Sequence, residues 1–112
     1  GQAMLDLGQA LSDFVYNNQG GSASGPSPVT HSQEEDAMSF FRDPFGGGPE
    51  YCAKLATAIN VLRAGIAWRK TDLNWRSYSY VGHRTRIDFM TVALGRLEAH
   101  YSIVCGGICP VE

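Results

Sequence analysis

YCAKLATAINVLRAGIAWRK, residues 51–70, sets Leu55, Ile59, Leu62 and Ile66 at spacings of four, three and four. At that period side chains fall on one face of an α-helix. The same pattern returns in HRTRIDFMTVALGRLEAHYSIV, residues 83–104, through Ile87, Met90, Leu94, Leu97, Tyr101 and Val104. Only about a dozen residues, 71–82, join the two, so the helices should lie antiparallel with their apolar stripes facing each other. The expected fold is therefore all-α, a small antiparallel hairpin of about 50–70 against 83–104 with one or two additional short helices. Such a hairpin brings Cys52 opposite Cys105 at one end. At the other it gathers Arg69, Asp72, His83, Arg84, Arg86 and Asp88.

Working outward toward the N-terminus, residues 3–17 form a short helical candidate. Met4, Leu7, Leu11, Phe14 and Val15 share one face, Asp6, Gln9 and Asp13 the other, and Gly8 weakens it. Residues 18–30 are Gly, Ser, Pro and Asn without periodicity, a linker composition. The chain divides on this basis into an N-terminal helix and linker, 1–31, and a helical domain, 32–112. Ser32 followed by Glu35 has the spacing of a capping box, and predicts a short helix over about 33–42 that stops at Asp43-Pro44. Gly46, Gly47 and Gly48 precede Pro49 without the Lys-Ser/Thr that completes a phosphate loop, so they read as a connector, with Pro49 opening the next helix. Gly65, inside the long helix, lets another backbone approach. Gly82 allows a sharp turn into His83, and Gly106-Gly107 closes the last helix.

A chain of 112 residues is one small domain with a modest core. Its net charge of -2 conceals an asymmetry. Up to Glu50 the acids Asp6, Asp13, Glu34, Glu35, Asp36, Asp43 and Glu50 face a single base, Arg42, whereas beyond it bases predominate. Only the second half could attract an anionic partner such as nucleic acid; alternatively its basic helices are a solvated face, or dock on the acidic half of their own chain. Three cysteines leave one unpaired if a disulfide forms. A bridge from Cys52 to Cys105 or to Cys109 would close a loop of about 50 residues, worth about 3 to 4 kcal/mol in the chain-entropy model. The competing zinc reading needs Cys52 and His100 to join Cys105 and Cys109, and no metal motif supports it. There is no apolar run long enough to span a bilayer and no signal-peptide pattern. A chain opening at Gly1 reads as a piece of something longer.

Chemistry would concentrate at His83. Backbone N–H groups at a helix start, together with Arg69, Arg84 and Arg86, form a phosphate site, and a histidine there can move a proton near neutral pH. Asp72 or Asp88 would orient the imidazole, and Arg69 would stabilise a pentacoordinate phosphate. Arg76 would hold phosphate, while Trp75, Tyr78 and Tyr80, beside Trp68, would stack bases. No cofactor or metal is required for such a cleavage of RNA by its own 2′-hydroxyl. The competing reading makes His83 a helix cap, pairs the arginines with Asp72, Asp88 or Glu98, and places the aromatics in the core. His100 and His31 read as structural or exposed. The GSASG of residues 21–25 lies in the linker and not on a strand-to-helix elbow, and Cys52 as a nucleophile would need His100 as its base.

A helix opening with Cys52, an Arg69-x-x-Asp72-Leu73 exit, an aromatic loop, Gly82-His83 opening a second helix and a closing Cys105 together resemble the C-terminal toxin modules of bacterial polymorphic toxins. These are the tips of Rhs and PAAR-type effectors of the type VI secretion system. The likeness covers about residues 50–109. It implies a domain secreted on an upstream Rhs/PAAR delivery region into a competing bacterium, acting in the cytoplasm or else the periplasm, and neutralised at home by a cognate immunity protein. The expectation that follows is a small metal-independent nuclease, RNA preferred. The alternative is a non-enzymatic, disulfide-stapled helical module that binds a protein or perturbs a membrane.

Overall fold

The computed structural model describes residues 25–71 and 80–112. The helical candidate at 3–17, and Asp72, Trp75, Arg76 and Tyr78, lie outside the described residues. Helix α1 spans His31–Met38, α2 Pro49–Thr71 and α3 Tyr80–Tyr101, followed by a π-helical turn, Ser102–Gly106. The described residues contain no strand, and the all-α hairpin with a short additional helix is the architecture found.

Helix α1 starts on a capping box two residues upstream of the expected one. Thr30 is the N-cap: its hydroxyl accepts from the Gln33 N–H at 3.0 Å, and the Gln33 side chain accepts from the Thr30 N–H at 2.7 Å. The helix also ends sooner than expected, at Met38. There the Ser39 hydroxyl donates to the Glu35 carbonyl at 2.9 Å, a local bond that competes with helix continuation. Phe40 then turns back onto Tyr51, with ring centroids 5.6 Å apart.

Pro49 is the first residue of α2, where its missing N–H has no intrahelical partner to lose. From there Leu55, Ile59 and Leu62 are completely buried and Ile66 nearly so, facing Ile87, Met90 and Leu97 of α3. Leu94, Tyr101 and Val104 are half-buried at the edge of the same core. Each fully buried aliphatic side chain contributes about 1.5–3 kcal/mol, so this seam holds the hairpin together. Helix α3 begins at Tyr80, and Gly82 lies within its first turn; the sharp turn expected at Gly82 is not there. His83 is accordingly the fourth residue of the helix and one of its buried ones.

Cys52 and Cys105 form a disulfide with Cα atoms 5.9 Å apart and 53 residues of separation. The bridge ties the first turn of α2 to the π turn. Beside it the Tyr51 hydroxyl lies 2.7 Å from His100 Nε2 and accepts from the Asp43 N–H at 2.9 Å. Gly47, at φ +124°, passes so close to the Val104 carbonyl that a Cβ could not fit. Cys109 is the free thiol, buried where the tail crosses α2. Arg63 donates to the Cys109 and Pro110 carbonyls at 3.1 and 3.2 Å, and Asn60 to Pro110 at 3.0 Å. Burial pushes the Cys109 thiol pKa up. No helix among the described residues is long and apolar enough to cross a membrane.

Candidate functional site

At the end of the hairpin opposite the disulfide, the structure centres on Glu34. On an eight-residue helix only two residues, Glu34 and Ala37, are buried, one turn apart on the face that meets α2 and α3. The Glu34 side chain is 1% exposed. It fits because residue 65 has no Cβ: one built there would lie 2.6 Å from Glu34 Oε2 and 2.7 Å from the Met90 methyl. Gly65 therefore admits a carboxylate, not the neighbouring backbone that the sequence suggested.

A buried carboxylate requires compensating charge. Arg69 supplies it with two parallel bonds, Nη2 to Oε1 at 2.8 Å and Nε to Oε2 at 3.2 Å. Arg86 adds Nε to Oε1 at 3.2 Å, and its Nη1 donates to the exposed Glu35. The Arg86 guanidinium beside Glu35 holds that carboxyl below the usual carboxylate range. Arg86 Nη2 also reaches the His31 carbonyl at 3.4 Å. Two guanidinium groups thus face two carboxylates, and the charges balance within the cluster.

Arg69 has one more prong. Its Nη1 lies 2.8 Å from His83 Nδ1. Guanidinium nitrogens only donate, so Nδ1 must accept with its lone pair, and the ring proton sits on Nε2. The His83 ring also packs edge-on against Trp68, with centroids 5.6 Å apart at 74°. Trp68 in turn donates its indole N–H to the Gly25 carbonyl at 2.8 Å. The helix pair is docked on the acidic half of its own chain, through the two consecutive glutamates of α1.

Several of the residues expected to act together do meet here, in a different arrangement. Among the described residues Arg69 and Arg86 converge on Glu34, and His83 joins them through Arg69. A phosphate competing for both arginines would first have to displace that carboxylate, at a cost of about 3–5 kcal/mol for breaking a buried pair. Arg84 points elsewhere: it is exposed, with Nη1 donating to the Tyr80 hydroxyl at 3.3 Å. Asp88 is exposed too, and lines an open groove with Lys70, Arg84 and Thr91 on the outer side of α3. Glu98 pairs with Arg63 at 3.1 Å, near the tail. At the far end His100 is held by Tyr51, and the disulfide takes up Cys52, so the pairing of a Cys52 nucleophile with His100 does not exist in this structure. Among the described residues no three His, Cys, Asp or Glu side chains converge as a metal site would require.

The outer face of α3 presents a second feature. Val81, Phe89 and Val92 are 70%, 65% and 53% exposed. Arg96 follows Val92 by one turn and, with Met38 and Ala93, lines an open groove beside Phe89. The periodicity of 83–104 gave no hint of this stripe, because it assigned every apolar residue it used to the core.

Compared with family models, with curated proteins and with solved structures, the chain matches none.

Proposed function

We propose that this chain is a disulfide-stapled helical module of a secreted antibacterial effector, and that it acts by binding through the outer face of α3 instead of by chemistry at His83. The observation that carries this reading is the contrast between the two features just described. Arg69 and Arg86 are engaged by a buried glutamate and His83 by Arg69, whereas Phe89 and Val92 stand in solvent beside Arg96. The effector context comes from the resemblance of residues 50–109 to polymorphic-toxin tips. A producer cell would then protect itself with an immunity protein that covers the α3 face.

The test is expression in a sensitive bacterium, directed in turn to cytoplasm and periplasm, of the native chain, His83→Asn and Phe89→Ser. Asn offers an acceptor near the place of Nδ1, so the fold should survive the exchange. On this reading His83→Asn stays toxic with total RNA intact, and Phe89→Ser loses toxicity. RNA loss that depends on His83 would instead support the nuclease reading, with Arg84 and Lys70 of the open groove as the available phosphate contacts.

A further inference from the structure

We infer that the outer face of α3 is a docking surface for an anionic lipid bilayer. This inference names the partner for the face that the proposed function assigns to binding, and rests on that reading.

Val81, Phe89 and Val92 project from one side of a single helix, with 11 residues, about 16 Å of rise, between the first and last. A partner protein usually receives such side chains in pockets and offers a concave surface. A row of protruding apolar groups on one straight helix matches a planar interface, where they enter the boundary between headgroups and acyl chains.

Charge supplies the second part. Lys70 and Arg84 flank the stripe on one side, in the groove that also contains Thr91 and Val92. Arg96 flanks it beyond Phe89. Among the described residues neither Lys70 nor Arg96 engages a carboxylate, and Arg84 bonds only a tyrosine hydroxyl. Their charge is therefore available to an outside anion. Asp88 is the acid on this face, and Glu35 at the rim is already paired with Arg86. Three cations against one unpaired acid among the described residues, set around an apolar row, is the pattern that holds an amphipathic helix on a negatively charged surface. Arg69 and Arg86 do not contribute, because Arg69 is engaged by Glu34 and Arg86 by Glu34 and Glu35.

The experiment is co-flotation of the full chain with vesicles of phosphatidylglycerol and phosphatidylcholine in equal parts, and with vesicles of pure phosphatidylcholine, in low salt. Binding should be at least tenfold stronger on the anionic vesicles, since each basic residue near such a surface contributes about fivefold. Raising the salt to about 0.5 M should release the protein. Arg96→Glu and Phe89→Ser should each weaken binding by about tenfold or more, one through charge and the other through apolar contact. Both positions are exposed, and a thermal melt of each variant within a few degrees of the native chain shows that the fold is intact. Absence of binding to anionic vesicles, or binding unaffected by both substitutions, overturns the inference. If vesicles are ignored while Phe89→Ser still abolishes toxicity, the lipid partner is wrong but the α3 face stands, and its target is a protein. If toxicity ignores Phe89 altogether, the proposed function fails as well.

Discussion

Replacing Glu34 should be the most damaging single change at the closed end of the hairpin. Glu34→Ala removes the carboxylate that accepts three hydrogen bonds from Arg69 and Arg86, whose side chains are only 14% and 16% exposed. Arg69 would be left without its counter-charge, and Arg86 with the exposed Glu35 alone. Removing one partner of a buried ion pair costs about 3–5 kcal/mol. Partial access of the arginines to water lowers this toward about 3 kcal/mol. For a domain of this size each kcal/mol moves the melting temperature by about 4–8 °C, so Glu34→Ala should lower it by at least about 12 °C. Glu35→Gln is the matched control: Glu35 is 55% exposed and bonds the same Arg86, and its loss should shift the melt by only a few degrees. The assay is circular dichroism at 222 nm during heating, for both variants under oxidising conditions. If Glu34→Ala and Glu35→Gln melt together, within a few degrees of the native chain, the buried cluster does not hold this end of the fold.

Other consequences can be measured on the same samples. Opening the Cys52–Cys105 bridge, by reductant or by exchange of both residues to Ser, removes a constraint over 53 residues, worth about 4 kcal/mol in the chain-entropy model; the melting temperature under reductant should fall by at least about 15 °C. Gly65→Ala places a methyl where the Glu34 carboxylate and the Met90 methyl already sit, and should destabilise by about 1–3 kcal/mol, read from urea unfolding midpoints at unchanged slope. Cys109 has its thiol pKa raised by burial and is 3% exposed, so at pH 8 it should react with a disulfide reagent at least about tenfold more slowly in the native chain than in urea. A raised thiol pKa stabilises the fold below the unfolded thiol pKa, and that contribution is lost as pH rises through the folded value. Equal reaction rates in native and unfolded chain would show that the tail does not cover the thiol.

The hairpin was legible because its determinants are local or nearly so. Leu55, Ile59, Leu62 and Ile66 declare a helix face within one segment, Pro49 marks a helix start, and a short connection forces two such faces together. The first helix was displaced because two capping boxes overlap: Thr30 with Gln33 and Ser32 with Glu35 both have the spacing, and the structure uses the upstream pair. Gly82 reads as a turn in the sequence because glycine is common at turns, yet α3 extends through it from Tyr80. The partners of the arginines could not be found by spacing, since Glu34 is 35 residues from Arg69 and 52 from Arg86. One signal was present. Gly65, in the middle of a long helix, marked a close approach, and the acidic first half of the chain marked where a carboxylate could come from. Those two facts point to a carboxylate from the first half, without selecting Glu34 among its seven acids. The exposed row on α3 was hidden for a different reason. Phe89 sits beside Met90 of the core stripe and Val92 two residues before Leu94, and a one-dimensional pattern does not say which side of a helix remains uncovered once α1 has docked.

The most direct test of the closed basic end is the protonation state of the two ring nitrogens of His83, read from long-range nitrogen–proton correlation spectra of the ¹⁵N-labelled chain. Arg69 donating to Nδ1 requires that nitrogen to carry no proton and Nε2 to carry one. The native chain should show that tautomer, and Glu34→Ala should lose it as Arg69 is released. A proton found on Nδ1 of His83 would contradict it, because no guanidinium could then be bonded there, and the histidine would be open to the chemistry that the Glu34 cluster otherwise closes off.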